Sequence, residues 1–416
     1  MPAFTFGKSI LPAKKYSYDT WADIRAQFNL TPDRIHLAQM LFATHPKPVQ
    51  DAIELHRRKF DENPVEYLET NLFSMPDAVR KSAANFIKAD PEEIVLTDST
   101  TMGIAILYHG LKLKEGDEIL TTTHDHYITE KALEFSTKKN GAVIRRIAEY
   151  DDPFTASPDE IVSRLVKVVT PATRIVAITW VHSCTGMKLP VRAIADAIKD
   201  INAKRSPADR IYLCVDGVHG FGIDNMTMED LGCDFFAAGA HKWIFGPRGT
   251  GILWGKKDAW EMMMPVIPSF GYNSYGERLG LVTPDKLNFG DWITPGGFKV
   301  YEHQWAMPAA FDFQLKIGKD KISERTHQLN SMLKEGLKSM SHVRLHTPMS
   351  PDLSAGINCF EVDGYKAEEV VKKLYEKKIL SSASPYRVSY VRLTPSIVNT
   401  EEEVKTCLDA LENLKA

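Results

Sequence analysis

Ile211-Tyr212-Leu213-Cys214-Val215-Asp216-Gly217-Val218-His219-Gly220 reads as a strand that stays apolar without alternation and ends in an acid, a glycine and a histidine. A strand buried on one face alternates apolar and polar residues, whereas one buried on both faces does not. The same continuous pattern recurs in Ile94–Thr97, Glu118–Thr122, Ala142–Ile144, Arg174–Thr179 and Gly251–Trp254. Helical segments fall between these runs. Ser99-Thr100-Thr101 caps one that runs to about Leu113, another covers 128–139, and Ser157-Pro158-Asp159-Glu160 opens a third with proline in its first turn. This alternation predicts an α/β fold, a parallel or mixed sheet covered by helices on both faces. Chemistry in such sheets gathers just beyond the strand ends.

After about residue 300 the pattern changes. A long helix is predicted over 302–339, then a strand at Ile357–Val362, a helix at 366–377, a strand at Val388–Leu393 and a helix at 400–414. This is the pattern of a smaller α+β domain. A chain of 416 residues exceeds what one compact core accommodates. The expected division is an N-terminal segment 1–35, a large domain 36–295, and 296–416 carrying the long connecting helix and the small C-terminal domain.

Composition narrows the functional classes. Hydrophobic residues make up 44% and charged residues 25%, an ordinary globular balance, and the net charge of −3 offers no basic surplus for nucleic acid or an anionic membrane. The five cysteines are irregularly spaced without a CxxC pair, which argues against a zinc knuckle or a disulfide framework and for reduced thiols. No metal is expected. Met1-Pro2-Ala3-Phe4-Thr5-Phe6 lacks a basic region followed by an apolar one, and no apolar run approaches the ~20 residues that span a bilayer. A cytoplasmic protein is expected.

The residues after the strands carry the chemistry. Asp216 ends a buried strand, where an acid is costly unless a helix N-terminus or a cationic ring nitrogen pairs with it. The next strand leads into Ala237-Ala238-Gly239-Ala240-His241-Lys242-Trp243-Ile244-Phe245-Gly246-Pro247-Arg248-Gly249-Thr250-Gly251. A lysine among small and aromatic neighbours is unusual. Once desolvated, its amine loses basicity and attacks carbonyl carbon. A lone His-Lys pair is most often a solvated turn, so the motif alone decides little. Gly246–Gly251 follows the lysine and does not open a helix, which makes it a close-packed turn rather than a nucleotide loop.

Taken together, Asp216, the Gly-flanked His241-Lys242 and the Gly-Pro-x-Gly-x-Gly turn resemble the fold-type I pyridoxal-5′-phosphate (PLP) enzymes of the class-V aminotransferase superfamily. Cysteine desulfurases, selenocysteine lyases, kynureninase-like and isopenicillin-N-epimerase-like proteins belong there. The resemblance runs from about Asp33 to Thr400. It implies a large domain with a mostly parallel seven-stranded sheet between helices, a smaller α+β domain, PLP as cofactor, and a homodimer with composite active sites. Lys242 resembles the lysine that holds PLP as a Schiff base and then shuttles a proton at the substrate Cα. Asp216 resembles the acid that keeps the pyridinium nitrogen protonated, so that the ring is an electron sink. His219 matches the position that contacts the ring O3′. His126 resembles the residue that stacks on the ring, with His124 as its rival.

For the phosphate, the resemblance implies a cup at Ser99, Thr100 and Thr101, where a helix N-terminus presents free N–H groups to a dianion. A simple N-cap is the alternative there. His241 is implied as a further phosphate contact, and Ser183 as part of the cofactor pocket. Thr294 and Gly297, in Thr294-Pro295-Gly296-Gly297-Phe298, lie where the family reaches across the dimer. Arg392, in Arg392-Leu393-Thr394-Pro395-Ser396-Ile397-Val398-Asn399-Thr400, resembles the arginine that clamps the substrate carboxylate, a task suited to a bidentate guanidinium.

Three departures from the family pattern point to the isopenicillin-N-epimerase-like branch. Gly239 replaces a Ser or Thr, Ser183-Cys184-Thr185-Gly186 lacks the usual Asn, and Gly297-Phe298 replaces Gly-Thr. Lys377-Lys378-Ile379-Leu380-Ser381-Ser382-Ala383-Ser384, where a desulfurase carries its nucleophilic thiol, contains no cysteine. The expected function is therefore action at the Cα or Cβ of an α-amino acid or an amino-acid-containing metabolite, as in an epimerase or aminotransferase. A β-eliminating C–S lyase without a persulfide cysteine is the alternative. A non-catalytic PLP-fold binding protein is the rival from another class.

Overall fold

The computed structural model describes residues 16–281, 283 and 288–414. The leader reading of Met1–Phe6 lies outside them. The large sheet has seven strands: β1 (Ile94–Thr97), β2 (Glu118–Thr122), β3 (Val143–Ile147), β4 (Thr173–Thr179), β5 (Tyr212–Asp216), β6 (Phe235–Gly239) and β7 (Gly251–Gly255). Their spatial order is β1-β7-β6-β5-β4-β2-β3. All neighbours are parallel except β7, which runs antiparallel to both β1 and β6. Fold-type I architecture is thus present, with one reversed strand.

The strands are apolar on both sides because both sides are covered. Val95, Cys214, Ala237 and Leu253 point into one core with the helices Thr100–Gly110 and Tyr127–Asn140. Leu96, Val215, Ala238 and Ile252 point into the other, with helices Lys47–Glu62, Ser74–Ile87, Pro158–Lys167, Val191–Asn202 and Met307–Ile317. Strand β3 is the exception. It lies at the sheet edge, and its Arg145 and Arg146 keep that edge charged, which discourages pairing with another chain.

The helix predicted over 302–339 is instead three helices, Tyr301–Gln304, Met307–Ile317 and Lys319–Ser339. Gly318 separates the last two at φ +100°, a conformation that a side chain disfavours. Ser382–Ala383, Val391–Leu393, Asn358–Val362 and Val343–Leu345 form, in that order, an antiparallel four-stranded sheet. Its apolar side packs with helices Lys319–Ser339, Ala367–Glu376 and Glu401–Glu412. The N-terminal part of the chain joins this unit: Ile35–His36 pairs in parallel with Ile379–Leu380, and Leu37 is fully buried in the same core. Among the described residues, no helix is long and apolar enough to cross a membrane.

Candidate active site

Register brings the ends of three strands abreast, with Thr179 of β4 and Ala237 of β6 flanking Asp216 of β5. The turn after Asp216 is pinned by aromatic rings. A Cβ on Gly217 would lie 1.9 Å from the Phe236 ring, and one on Gly220 would lie 1.9 Å from the Trp180 ring. Only glycine lets the backbone pass so close. The carboxylate of Asp216 is buried, accepting the Val218 N–H at 3.2 Å and the Thr129 hydroxyl at 3.4 Å. Burial pushes its pKa up to about 6. Three residues on, His219 places Nε2 3.0 Å from Lys242 Nζ, while its own buried Nδ1 has no hydrogen-bond partner among the described residues.

Lys242 sits just past β6. Desolvation pushes its ammonium down to about 8, with Asp216 opposing the shift and Arg392 adding to it. The protein thus makes this amine far more available as a neutral nucleophile than a surface lysine. His241 beside it is pushed down to about 4 by burial and the Lys242 charge.

At the first turn of Thr100–Gly110, the Ser99 hydroxyl accepts the Met102 N–H at 3.1 Å, so this side chain acts as the N-cap. The Thr100 hydroxyl accepts the Gly239 N–H at 2.7 Å, and Thr101 is exposed. The N–H groups of Thr100 and Thr101 have no intrahelical acceptor and face the positive dipole end, the arrangement that suits an anion. The glycine at 239 also finds its reason here. A Cβ would stand 2.9 Å from the His241 ring and 3.0 Å from the Thr100 hydroxyl, so His241 occupies the room a serine or threonine would need.

The structure separates His124 from His126. His126 caps Tyr127–Asn140, its Nδ1 accepting the Ile128 N–H at 3.3 Å, and burial with the charges of Lys242 and Arg392 holds it near 4. His124 belongs to a different neighbourhood. Its ring stacks on Tyr150 at 4.3 Å and its Nδ1 lies 3.0 Å from Glu149.

Arg392 is buried on the strand Val391–Leu393, donating to the Ser382 hydroxyl at 3.2 Å, the Ser183 carbonyl at 3.2 Å and the Ala383 carbonyl at 3.1 Å. None of the ion pairs among the described residues includes it. A buried guanidinium that no carboxylate among the described residues neutralises suits an anionic ligand. The Ser183 hydroxyl lies 2.6 Å from that of Tyr386, whose ring meets His126 edge-on at 5.9 Å. Tyr386 carries no motif and sits in a connection between two short strands, so nothing in the sequence marks it. Cys184 is buried, its thiol donating to the His124 carbonyl at 3.4 Å, and burial pushes its pKa up, which makes it a poor nucleophile.

Thr294 and Gly297 lie elsewhere in the chain. They line a cavity of about 450 Å³ with Arg80, Asp291 and Lys299, beyond the edge strand β1. The Thr294 hydroxyl accepts from Leu96 N–H at 3.1 Å and from Arg80 at 3.3 Å. Phe298 beside them is 78% exposed.

The Lys242 pocket fits PLP on its own chemistry. It has an amine of lowered basicity, a buried acid, an unpartnered imidazole nitrogen, a helix N-terminus for a phosphate and an unpaired guanidinium for a carboxylate. Comparison with known proteins agrees. The chain is 25% identical over 404 residues to an isopenicillin N epimerase of Amycolatopsis lactamdurans, covering 95% of this chain and 98% of that one. It is 28% identical over 394 residues to a probable cysteine desulfurase of Halalkalibacterium halodurans, covering 90% and 91%. Among solved structures, the cystine C-S lyase C-DES with its product cysteine persulfide superposes with a TM-score of 0.81 at 22% identity, covering 92% and 98%. The apo cysteine desulfurase of Thermococcus onnurineus NA1 gives 0.80 at 23% identity, covering 94% and 97%. The model of the family "Aminotransferase class-V" matches residues 43–406, and with the fold and the pocket in agreement, the chain belongs to this family of PLP-dependent enzymes.

Proposed function

We propose that this enzyme acts at the Cα or Cβ of an α-amino acid or an amino-acid-containing metabolite, in the manner of the isopenicillin-N-epimerase-like branch. The observation that carries the reading is the buried Arg392, which no carboxylate among the described residues neutralises, yet which stands close enough to Lys242 and His126 to shift their titration. Its free charge suits the carboxylate of an α-amino acid.

PLP, when bound, supplies an electron-withdrawing ring that acidifies the bonds at an adjacent Cα. The remaining work falls to the chain. Asp216 would supply the counter-ion for the ring nitrogen. The first-turn N–H groups of Thr100–Gly110 and His241 would bind the phosphate, and His126 would cover the ring. Lys242, with a pKa of about 8, both accepts and returns a proton at the Cα near neutral pH. His219, kept neutral by burial, holds the Lys242 nitrogen between these transfers. Arg392, fixed by three hydrogen bonds, orients the carboxylate so that one Cα bond faces the amine.

β-Elimination of a sulfur-bearing substrate is the second reading. It is favoured by the buried Cys184 and the cysteine-free 377–384 stretch, which leave no thiolate to take sulfur onto the protein, so sulfur would depart with the product. Homodimerisation with composite sites is part of the proposal. Exposed Phe270 and Tyr272 line the same cavity as Thr294 and Gly297, and the Phe270 ring meets that of exposed Phe298 edge-on at 6.1 Å, apolar surface that a second copy would cover.

The test is turnover of a panel of amino acids in deuterium oxide, with products identified. Deuterium at Cα with inverted configuration supports epimerisation. A keto acid formed with an aminated cofactor supports transamination, and ammonia with a keto acid supports elimination. A panel that leaves every amino acid unchanged sinks the reading.

A further inference from the structure

Beside the pocket, and outside the machinery assigned above, three side chains converge from the ends of three adjacent strands: His124 after β2, Glu149 after β3 and His182 after β4. One nitrogen of each imidazole and one carboxylate oxygen lie within 4.8 Å of one another. Glu149 Oε1 is 3.0 Å from His124 Nδ1 and 3.5 Å from His182 Nδ1. Ligands held about 2.0–2.2 Å from a tetrahedral ion are separated by roughly 3.3–3.6 Å, so the observed spacing is close to that of a coordination shell.

The burial is the second, independent observation. Glu149 is 1% exposed and His182 is 0% exposed. Both carboxylate oxygens of Glu149 and Nε2 of His182 are buried without a hydrogen-bond partner among the described residues. Among the described residues, Glu149 forms ion pairs only with the two histidines, and no lysine or arginine reaches it. A buried carboxylate without donors is costly. The neighbouring buried carboxylate shows the contrast: Asp125 accepts from Thr121, from the Thr122 N–H and from the Thr122 hydroxyl. Three donors meet Asp125 Oδ2, whereas among the described residues neither oxygen of Glu149 accepts a hydrogen bond.

We propose that His124, Glu149 and His182 bind a divalent transition-metal ion, of the kind that takes imidazole nitrogen with a carboxylate oxygen, such as Zn²⁺ or Co²⁺. Tyr150, whose ring stacks on His124 at 4.3 Å, steadies that imidazole, and its hydroxyl, 3.0 Å from that of Thr185, keeps a partner when His182 Nδ1 takes the ion. The role is structural. His124 lies two residues before His126, and His182 immediately precedes Ser183, whose carbonyl holds Arg392. An ion at the cluster ties together the two loops that line the cofactor pocket.

The sequence does not reveal this site, because its ligands come from three separate strand ends with no repeat in their spacing. The test uses the PLP-loaded enzyme, treated with a chelator, desalted and titrated with CoCl₂ and then ZnCl₂. The expected result is one ion per chain by elemental analysis, a tetrahedral or five-coordinate Co²⁺ visible spectrum displaced by Zn²⁺, and a raised melting temperature. Glu149→Gln and His182→Gln should each lose the ion and the Co²⁺ spectrum. His124→Gln, at the more accessible ligand, guards against misfolding of the buried variants: with PLP retained, it too should lose the ion. Absence of stoichiometric ion in the wild type, or retention of it in all three variants, overturns the proposal and leaves a proton-sharing network. Neither readout depends on the substrate, so this failure is distinguishable from failure of the proposed reaction.

Discussion

Nζ of Lys242 lies 3.0 Å from Nε2 of His219. Both groups sit where burial disfavours charge, so the pair is poised to share one proton. With Lys242 at about 8, the neutral amine is plentiful only above that pH. The rate at which stripped enzyme takes up PLP covalently should rise about tenfold per pH unit below pH 8 and level off above it. Stopped-flow absorbance measures this, and a rate still climbing at pH 10 contradicts the lowered basicity. Borohydride trapping followed by peptide mass analysis should mark Lys242, and Lys242→Ala should take up no label.

Arg392→Lys keeps the charge but loses the planar fork and the three hydrogen bonds that aim it. Charge-assisted hydrogen bonds contribute about 1.5–3 kcal/mol each, so KM for an amino-acid substrate should rise about ten- to a hundredfold. The visible spectrum of the resting enzyme should not change. An unaltered KM removes Arg392 from carboxylate binding.

Gly217→Ala puts a methyl group 1.9 Å from the Phe236 ring. Overpacking of a closed core typically costs about 1–3 kcal/mol and more where the backbone must move. Thermal or urea denaturation should show at least that loss, together with weaker PLP retention because Asp216 adjoins the displaced turn. Wild-type stability would mean that the strand exit is looser than the geometry requires.

Acid should destabilise the enzyme without its cofactor. His45, His56, His126, His182 and His241 are all pushed down to about 4 in the folded state, against an ordinary 6.5. Between those values the unfolded chain binds more protons than the folded one, so stability rises with pH across the window and is lost as pH falls through it. Asp216, raised to about 6, has the opposite sign from about 3.8 to 6 and offsets only part of this. The melting temperature should be lower at pH 5 than at pH 7; equality or reversal rejects the assignment of neutral buried imidazoles.

Phe298→Asp places a charge on the exposed apolar surface beside Gly297. Sedimentation should shift from dimer to monomer, with PLP retention falling in parallel if the sites are composite. A monomeric wild type, or a dimeric variant of undiminished PLP retention, argues against the interface.

Strands with β-branched residues on both faces were plain in the sequence, because double burial leaves no polar alternation. Strand β6, Phe235-Phe236-Ala237-Ala238-Gly239, was harder to see, since alanine and glycine are poor strand formers. Its small residues are needed for close packing: a Cβ on Gly251 would lie 2.8 Å from the Ala238 carbonyl and 3.2 Å from Gly239 Cα. The helix breaks before Met307 and at Gly318 were masked by sustained helical periodicity on either side. In the pocket, residues at strand ends were legible because the fold class dictates where they fall. Tyr386 and the Glu149 cluster were not, since loop path and burial alone bring them there. His124 and His126 could not be separated by spacing; the helix cap on His126 and the Tyr150 stack on His124 separate them.

The reversed strand β7 sets an order of assembly. β1 is synthesised early, yet among the described residues its one sheet neighbour is β7, made after the other strands of that sheet, and Ile35–His36 waits longer still for Ile379–Leu380. Such distant pairings make folding slow. On the ribosome, the helix cap at Ser99 emerges long before the lysine turn whose Gly239 it meets through Thr100, so a nascent chain has no cofactor cradle until the last strand of the large sheet is threaded between its neighbours.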